Sequence, residues 1–402
     1  MICVLTGGTG GAKFVDGLRQ VMPAEEITLI VNTGDDLLWW GLYVSPDIDS
    51  ITYVLSGMLS RERGWGVKGD TFLCLQAMGQ LGEPTWFHTG DRDLAVHLLR
   101  SRHLAEGKTL SEATALVCDK LGVKARILPM SDSRVETRVD TPVGELSFEE
   151  YFVQRWYQDP VNSVRFAGAS DAEPAPGVIE AIEAADAILI APSNPVTSIG
   201  PILAVPGIRE ALCRAKGKIG AISPIISGAP VNGPAGILMV AQGLPSSIAG
   251  VAQAYKDFLD VLICDTRDAR PAEVLRKTGC ACSARKPSCA LRKTKPSLPA
   301  KRWRWFLLRR FPSQALSCKL PRVKPLSLKL LPASLLPTTL PPTSIQFPPN
   351  QLRPNKLRPN KLPLNELPPA GRSFASARWT IRRDPGSGQE SFRRETAPRR
   401  AA

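Results

Sequence analysis

The chain opens with a five-residue apolar run, Ile2–Thr6, that stops at Gly7-Gly8-Thr9-Gly10-Gly11, and the same arrangement then repeats. Residues 12–21 carry apolar side chains at helical spacing (Phe14, Leu18, Val21), and Ile27–Val31 is a second apolar run closed by Asn32-Thr33-Gly34-Asp35-Asp36. A strand without polar alternation is buried on both faces, the condition of a parallel sheet covered by helices. The pattern returns with a helical stretch at 177–185, an apolar run at 187–191 followed by Pro192-Ser193-Asn194-Pro195, a helix at 208–216, and further runs at 219–223 and 261–264. Residues 48–121 read as mostly helical and 134–148 as a hairpin of short strands. An α/β fold follows: an open, mostly parallel sheet with an inserted helical region at about 46–150. Ligands of such sheets bind beyond the carboxyl ends of the strands, which is where the polar clusters fall.

Each cluster has a chemical reading and a plainer one. Glycines between a strand and a helix let the backbone approach a phosphate, whose charge the helix N-terminus favours; the same residues suit a tight turn with no ligand. The loop is not the dinucleotide fingerprint, because Lys13 stands where the third glycine belongs, nor a Walker A loop, because Ala12 replaces its second glycine. Asp47 and Asp49, in Ser45-Pro46-Asp47-Ile48-Asp49-Ser50, can hold a magnesium ion against phosphates. Either also makes a good N-cap for the helix that follows. His88-Thr89-Gly90-Asp91-Arg92-Asp93 opens another helix, with Arg92 able to grip a phosphate and Asp91 able to cap. His97 and His103 read as helix-surface residues, and the three histidines are too dispersed to suggest a metal site. Ser193, Asn194, Thr197 and Ser198 lie in a polar loop stiffened by prolines, and residues 225–236 form a second glycine- and proline-rich loop. No Ser/His/Asp or Cys/His constellation is visible, which suits direct displacement over a covalent intermediate.

Charge divides the chain in two. Residues 277–402 hold 27 Lys and Arg against 4 Asp and Glu, a charge of +23, which leaves 24 basic and 33 acidic residues, −9, for residues 1–276. The acidic body argues against a nucleic-acid surface. Nineteen of the 36 prolines fall after residue 280, so 281–402 reads as a basic, disordered tail to a 1–280 body. Cys3, Cys74, Cys118, Cys213 and Cys264 are not at metal-ligand spacing and read as reduced core thiols. No apolar run is long enough to span a membrane and no basic-then-apolar leader opens the chain, so a soluble, cytoplasmic protein is expected.

Nine segments in order, GGTGGAK, VNTGDD, SPDIDS, WGVKGDTF, TGDRD, ILPMSD, APSNPVTSIGPI, SPIISGAPVNGPAG and DFLDVLICDTRD, together resemble the 2-phospho-L-lactate transferase family over residues 1 to about 279. The resemblance implies a Rossmann-like three-layer core, usually dimeric. It implies that a guanosine diphosphate-linked three-carbon acid, lactyl or enolpyruvyl, passes its phospho-acid to a ribityl hydroxyl of the deazaflavin Fo in coenzyme F-420 biosynthesis, with release of GMP and a requirement for Mg2+. Carried over by motif, Gly7, Gly8, Thr9, Gly10, Gly11, Lys13, Ser193, Asn194, Thr197 and Ser198 would hold the nucleotide. Asp47 and Asp49 would hold the metal or position the acceptor hydroxyl. His88 and Arg92 would line the acceptor side, although other members carry lysine at the position of His88. A related branch that binds nucleotide sugars as a regulator shares the glycine loop, but the motifs SPDIDS and TGDRD favour the enzyme. An NAD-dependent oxidoreductase is disfavoured by the missing third glycine.

The resemblance stops where the charge and proline content jump, so everything after about Gly279 is expected to be the product of a shifted reading frame. The family pattern continues with a strand, an acidic-Thr-Leu-Met type motif and a closing helix. Codons can be chosen for residues 280–296 such that a frame beginning at their third base reads R-V-L-C-A-E-T-I-M-R-T-A-E-D-K-A, which supplies that pattern. The competing account is a genuine basic extension that binds an acidic partner. Resequencing genomic DNA across codons 275–300 should reveal an inserted, deleted or miscalled base; an uninterrupted frame would refute the shift.

Overall fold

The computed structural model describes residues 1–277 and two strands beyond them, Trp379–Arg383 and Glu390–Arg394, which pair antiparallel. The expectations of a disordered tail and of a frame change near residue 279 otherwise lie outside the described residues. In the body, β1 (Ile2–Thr6), α1 (Gly8–Leu18) and β2 (Ile27–Val31) form the first unit. A short hairpin, β3 (Leu37–Trp39) and β4 (Leu42–Val44), leads into α2 (Pro46–Ser56), α3 (Leu73–Gln80), α4 (Asp91–Ala105) and α5 (Leu110–Lys120). The chain then returns to the sheet as β5 (Arg126–Pro129), inside the stretch expected to be wholly inserted. Next, β6 (Glu136–Thr141), β7 (Gly144–Ser147) and β8 (Ser163–Ala167) make a three-stranded antiparallel sheet, one strand more than the expected hairpin. The second half runs α6 (Val178–Ala184), β9 (Ala187–Ile190), α7 (Gly200–Ala204), α8 (Ile208–Arg214), β10 (Lys218–Ile222), the miniature hairpin β11 (Ile225–Ile226) and β12 (Ala229–Pro230), α9 (Ala235–Ala241), α10 (Ile248–Ala254), β13 (Val261–Ile263) and α11 (Ala269–Lys277).

The six-stranded sheet has the order β13-β10-β9-β1-β2-β5, parallel throughout. The chain builds outward from β1 to β5, then returns to β9 on the other side of β1 and builds outward again. This is the doubly wound Rossmann order, with its switch point between β1 and β9.

Successive side chains of a strand point to opposite faces, and both faces are buried. Cys3, Leu5, Ile30, Ile188, Ile190 and Ile219 pack on one side with α6 and α8. Ile2, Val4, Leu29, Val31, Ala187 and Leu189 pack on the other with α1 and α2. The expected helix–sheet–helix layering is therefore present. Cys3 and Cys118 are buried thiols, with burial holding Cys3 up at about 12, whereas Cys213 is exposed. No helix among the described residues is long and apolar enough to cross a membrane.

Two boundaries differ from the sequence reading in ways that matter for the site. Helix α1 starts at Gly8 and not at residue 12, so the glycines form its first turn, where amides have no intrahelical partner and low helix propensity costs least. Helix α2 starts at Pro46, a favoured first helical position, so Asp47 and Asp49 lie inside its first turn and neither is the N-cap.

Candidate functional site

At the switch point the loop after β1 and the loop after β9 are in contact, and the contact requires bare backbone. A Cβ on Gly10 would lie 2.6 Å from the Pro192 carbonyl oxygen, and one on Gly7 would lie 2.7 Å from Asp47 Oδ2 and 2.9 Å from Asn32 Cβ. Gly8 takes a left-handed φ of 67°, which a side chain would strain. Ser193 Oγ donates to the Gly7 carbonyl at 2.7 Å, and Asn194 Oδ1 accepts from Val196 N at 3.0 Å. These two predicted nucleotide ligands thus spend those bonds shaping the loops. Thr197 is fully buried with its hydroxyl unpartnered, Ser198 Oγ faces Gly8, and Lys13 is exposed on the second turn of α1.

Helix α1 has no side chain of its own to cap it, since its N-cap is Gly7. Asp47 does so from α2, accepting from Gly8 N at 2.6 Å. Asn32, at the end of β2, completes the joint. Its Nδ2 donates to Asp47 Oδ2 at 2.9 Å, to Asp35 Oδ2 at 3.0 Å and to the Thr197 carbonyl at 3.2 Å.

Behind this joint four acids, Asp35, Asp36, Asp47 and Glu149, are buried together. Burial raises Asp35 well above the carboxylate range, and the charges of Asp47 and Glu149 raise it further. Burial likewise raises Asp36, against the hydrogen bond from Ser45. Burial raises Asp47 to about 6, held back by its bonds to Asn32 and Gly8, and raises Glu149 to about 8, with Asp47 and Asp36 adding to it. Asp35 Oδ1 and Asp36 Oδ1 make no hydrogen bond of ordinary geometry, although Thr137 and Tyr43 lie near enough to offset part of the rise. Oxygen-only donors with unmatched negative charge suit a hard dication such as Mg2+. Sequence reasoning missed Asn32 and Glu149; Glu149 lies in the Phe148-Glu149-Glu150 stretch, which carries no motif.

Asp47 and Asp49, expected to hold the metal or position the acceptor hydroxyl, have different partners. Residues two apart on a helix point to opposite sides. Asp47 turns to Gly8 and Asn32, whereas Asp49 turns to α4, where Arg100 grips both of its carboxylate oxygens. His97 Nδ1 lies 3.4 Å from Asp49 Oδ2, His97 Nε2 lies 3.5 Å from Asp93 Oδ1, and Tyr53 donates to Asp93 at 2.6 Å. Asp49, Asp93 and His97 are the one group of potential ligand atoms within 4.8 Å of one another found among the described residues. Burial lowers His97 to about 4 and raises Asp93 to about 7. His97 and His103 are therefore not surface residues. They belong to a buried stripe, Asp93, Val96, His97, Arg100 and His103, which is mostly polar and so carried no apolar periodicity.

At the start of α4 the motifs WGVKGDTF and TGDRD meet. Asp70 accepts from Arg92 N at 2.8 Å and Asp93 N at 3.1 Å, so it, and not Asp91, serves the first turn of α4. Asp91 instead accepts from Leu73 N at 3.1 Å and Cys74 N at 2.9 Å, at the start of α3. Arg92 is exposed, its guanidinium 3.5 Å from the Lys68 carbonyl, and His88 is exposed beside Trp65 and Phe72. The loop at 225–236 folds as the β11–β12 hairpin, with Ser227 and Gly228 both at positive φ as a two-residue turn demands, which is the plainer of its two readings.

The family model for 2-phospho-L-lactate transferase CofD matches residues 2–286. The 2-phospho-L-lactate transferase of Methanosarcina mazei is 43% identical over 280 residues, covering 70% of this chain and 92% of that protein. The phosphoenolpyruvate transferase of Streptomyces coelicolor is 45% identical over 289 residues, covering 70% of this chain and 91% of that protein.

The acid cluster predicts an unusual pH dependence. The folded pKa values are raised, so the folded chain binds more protons than the unfolded one, and stability increases as pH falls. His97 works the opposite way once the unfolded chain protonates it below its ordinary value of 6.5. The melting temperature in EDTA should therefore rise from pH 8 to pH 6.5, and millimolar Mg2+ should raise it more at pH 8 than at pH 6.5. A melting temperature that falls over this interval would contradict the cluster.

Proposed function

Because the chain belongs to the 2-phospho-L-lactate transferase CofD family, we infer that it moves a phospho-three-carbon acid from a guanosine diphosphate-linked donor to a ribityl hydroxyl of the deazaflavin Fo, in coenzyme F-420 biosynthesis. The observation that carries this reading is the close approach of the glycine loop to the β9 loop at the switch point, where no Cβ fits at Gly10, beside a cluster of buried carboxylates. A diphosphate fits such a place: free amides of the first turn of α1 and its dipole favour the phosphate oxygens. Thr197, Ser198 and Lys13 add donors, while Ser193 and Asn194 keep the loops in shape.

In the transfer, the acceptor hydroxyl oxygen bonds to the phosphorus that bears the acid. The bridging P–O bond breaks, and GMP leaves with the bridging oxygen. The hydroxyl proton passes to a carboxylate of the site that does not hold the cation. One or two carboxylates of the acid cluster, together with phosphate oxygens of the donor, would hold the magnesium ion, which when bound offsets charge on the phosphates. Asp49, braced by Arg100, is assigned to the acceptor side with His88 and Arg92. Transfer of this kind needs little covalent help and much positioning. Relatives named for the lactate and the enolpyruvate donor are about equally similar, so the acid carried is set by experiment. The family resemblance further supports a cytosolic homodimer.

The test incubates the full chain with Mg2+, Fo and in turn the lactyl, enolpyruvyl and glyceryl guanosine donors, with products resolved by mass. At least one donor should yield the phosphodiester and GMP, and Asp35→Asn or Asp47→Asn should cut the rate by about tenfold or more. No product with any donor, or full activity in both variants, would defeat the reading.

A further inference from the structure

Helix α4 turns Asp93, His97 and Arg100 inward against α2. Their spacing, i, i+4 and i+7, places them on one face of the helix. His97 and Arg100 are each only 1% exposed. Opposite them on α2 stand Asp49 and Tyr53, four residues apart. Arg100 donates to both Asp49 oxygens, and Tyr53 donates to Asp93 Oδ1 at 2.6 Å. These contacts already tie α2 to α4.

His97 lies between the two acids without an ordinary hydrogen bond to either. Its Nδ1 is 3.4 Å from Asp49 Oδ2 and its Nε2 is 3.5 Å from Asp93 Oδ1, and both nitrogens are buried without a partner. A helix crosslink has no use for such a ring, because an apolar side chain would avoid burying two unpaired nitrogens. A shift of about half an ångström brings either nitrogen into bonding range. Burial lowers His97 to about 4 and so keeps it neutral. A neutral imidazole carries one N–H and can donate to one acid only.

The two acids are not equivalent. Both Asp49 oxygens accept from a guanidinium, which has no acceptor to offer in return, so Asp49 meets His97 as an acceptor. Asp93, raised by burial to about 7, can carry a proton at neutral pH and donate it to the other ring nitrogen. The donors then run in one direction, from Tyr53 through Asp93 and His97 to Asp49, and a chain of that kind strengthens each of its bonds.

We propose that His97, backed by Asp93 and Tyr53, donates through Nδ1 to Asp49 and, with Arg100, fixes that carboxylate in the orientation that receives the acceptor hydroxyl. The proposal rests on the transferase reading, in which Asp49 belongs to the acceptor side. His97 is a positioning residue and touches neither substrate. The rate is sensitive to such positioning, since a misplacement of about 1 Å costs on the order of a hundredfold.

Two measurements on the full chain test it. The chain has three histidines, so NMR with isotopically labelled imidazole nitrogens resolves each ring, and loss of one signal in His97→Asn assigns it. At neutral pH His97 should be uncharged with its proton on Nδ1; a proton on Nε2, or a charged ring, would overturn the proposal. The second measurement compares two amides at this position. In His97→Asn the side-chain N–H takes the place of Nδ1, beside Asp49, whereas in His97→Gln it takes that of Nε2, beside Asp93. His97→Gln should lower kcat for transfer to Fo by about tenfold or more, with GDP affinity within about twofold of wild type. His97→Asn should recover most of that loss, at a melting temperature equal to that of His97→Gln. A ring that only held the helices together would move the melting temperature and leave kcat of both folded variants near that of wild type. That result, or equal loss in the two variants, would overturn the proposal and leave the function standing. Wild type that transfers to Fo from no donor sinks the transferase reading and this role with it.

Discussion

One buried side-chain amide, that of Asn32, holds the ends of three separated segments together. It sits at the tip of β2 and donates to Asp35 in its own loop, to Asp47 on α2 and to the Thr197 carbonyl in the β9 loop, while Gly34 N donates to its Oδ1 at 2.8 Å. Asp47, oriented by that bond, reaches the first amide of α1 and serves as the cap that Gly7 cannot be. The glycine loop, the acid cluster and the β9 loop therefore have one shared anchor. A buried amide that satisfies several acceptors is costly to leave unpaired, so the arrangement is specified as a unit.

That unit carries an imbalance. Four buried carboxylates belong to it, and their pKa values rise because burial penalises charge, with neighbouring acids adding to the rise at Asp35 and Glu149. A fold that only needed stability would have no use for such a cluster, and the proposed function gives it one, the binding of a cation with a diphosphate. The second buried polar group, Asp49 with Arg100, His97 and Asp93, connects α2 to α4; the guanidinium matches Asp49, while both His97 ring nitrogens lack a hydrogen-bond partner. The two aspartates of one short motif thus serve different tasks because helical rotation sends them apart.

The parallel sheet was legible because its strands are unbroken apolar runs, such as Ile27–Val31, that end in glycine or Asn/Asp clusters. The location of the site at those ends was legible for the same reason. The buried face of α4 was not, because Asp93, His97, Arg100 and His103 read as a solvated surface until tertiary contacts pair them. Glu149 was invisible because nothing in its neighbours marks it, and it reaches the cluster only through the fold. The Asp47 and Asp49 spacing did not show that the two carboxylates face different partners, because that follows from their place in the first turn of a helix. Sequence placed Ser193 and Asn194 in the polar loop after β9, but which of their bonds are spent on the loops themselves required coordinates.

The account stands on the claim that the crevice between the first turn of α1 and the β9 loop receives a guanosine diphosphate moiety together with a divalent cation. Calorimetry of the full chain with GDP and with ADP, in Mg2+ and again in EDTA, measures this directly. The account predicts that GDP binds in Mg2+ with at least about tenfold higher affinity than ADP, and that EDTA weakens GDP binding by a similar factor. Equal affinity for the two nucleotides, or GDP binding indifferent to the cation, would contradict it.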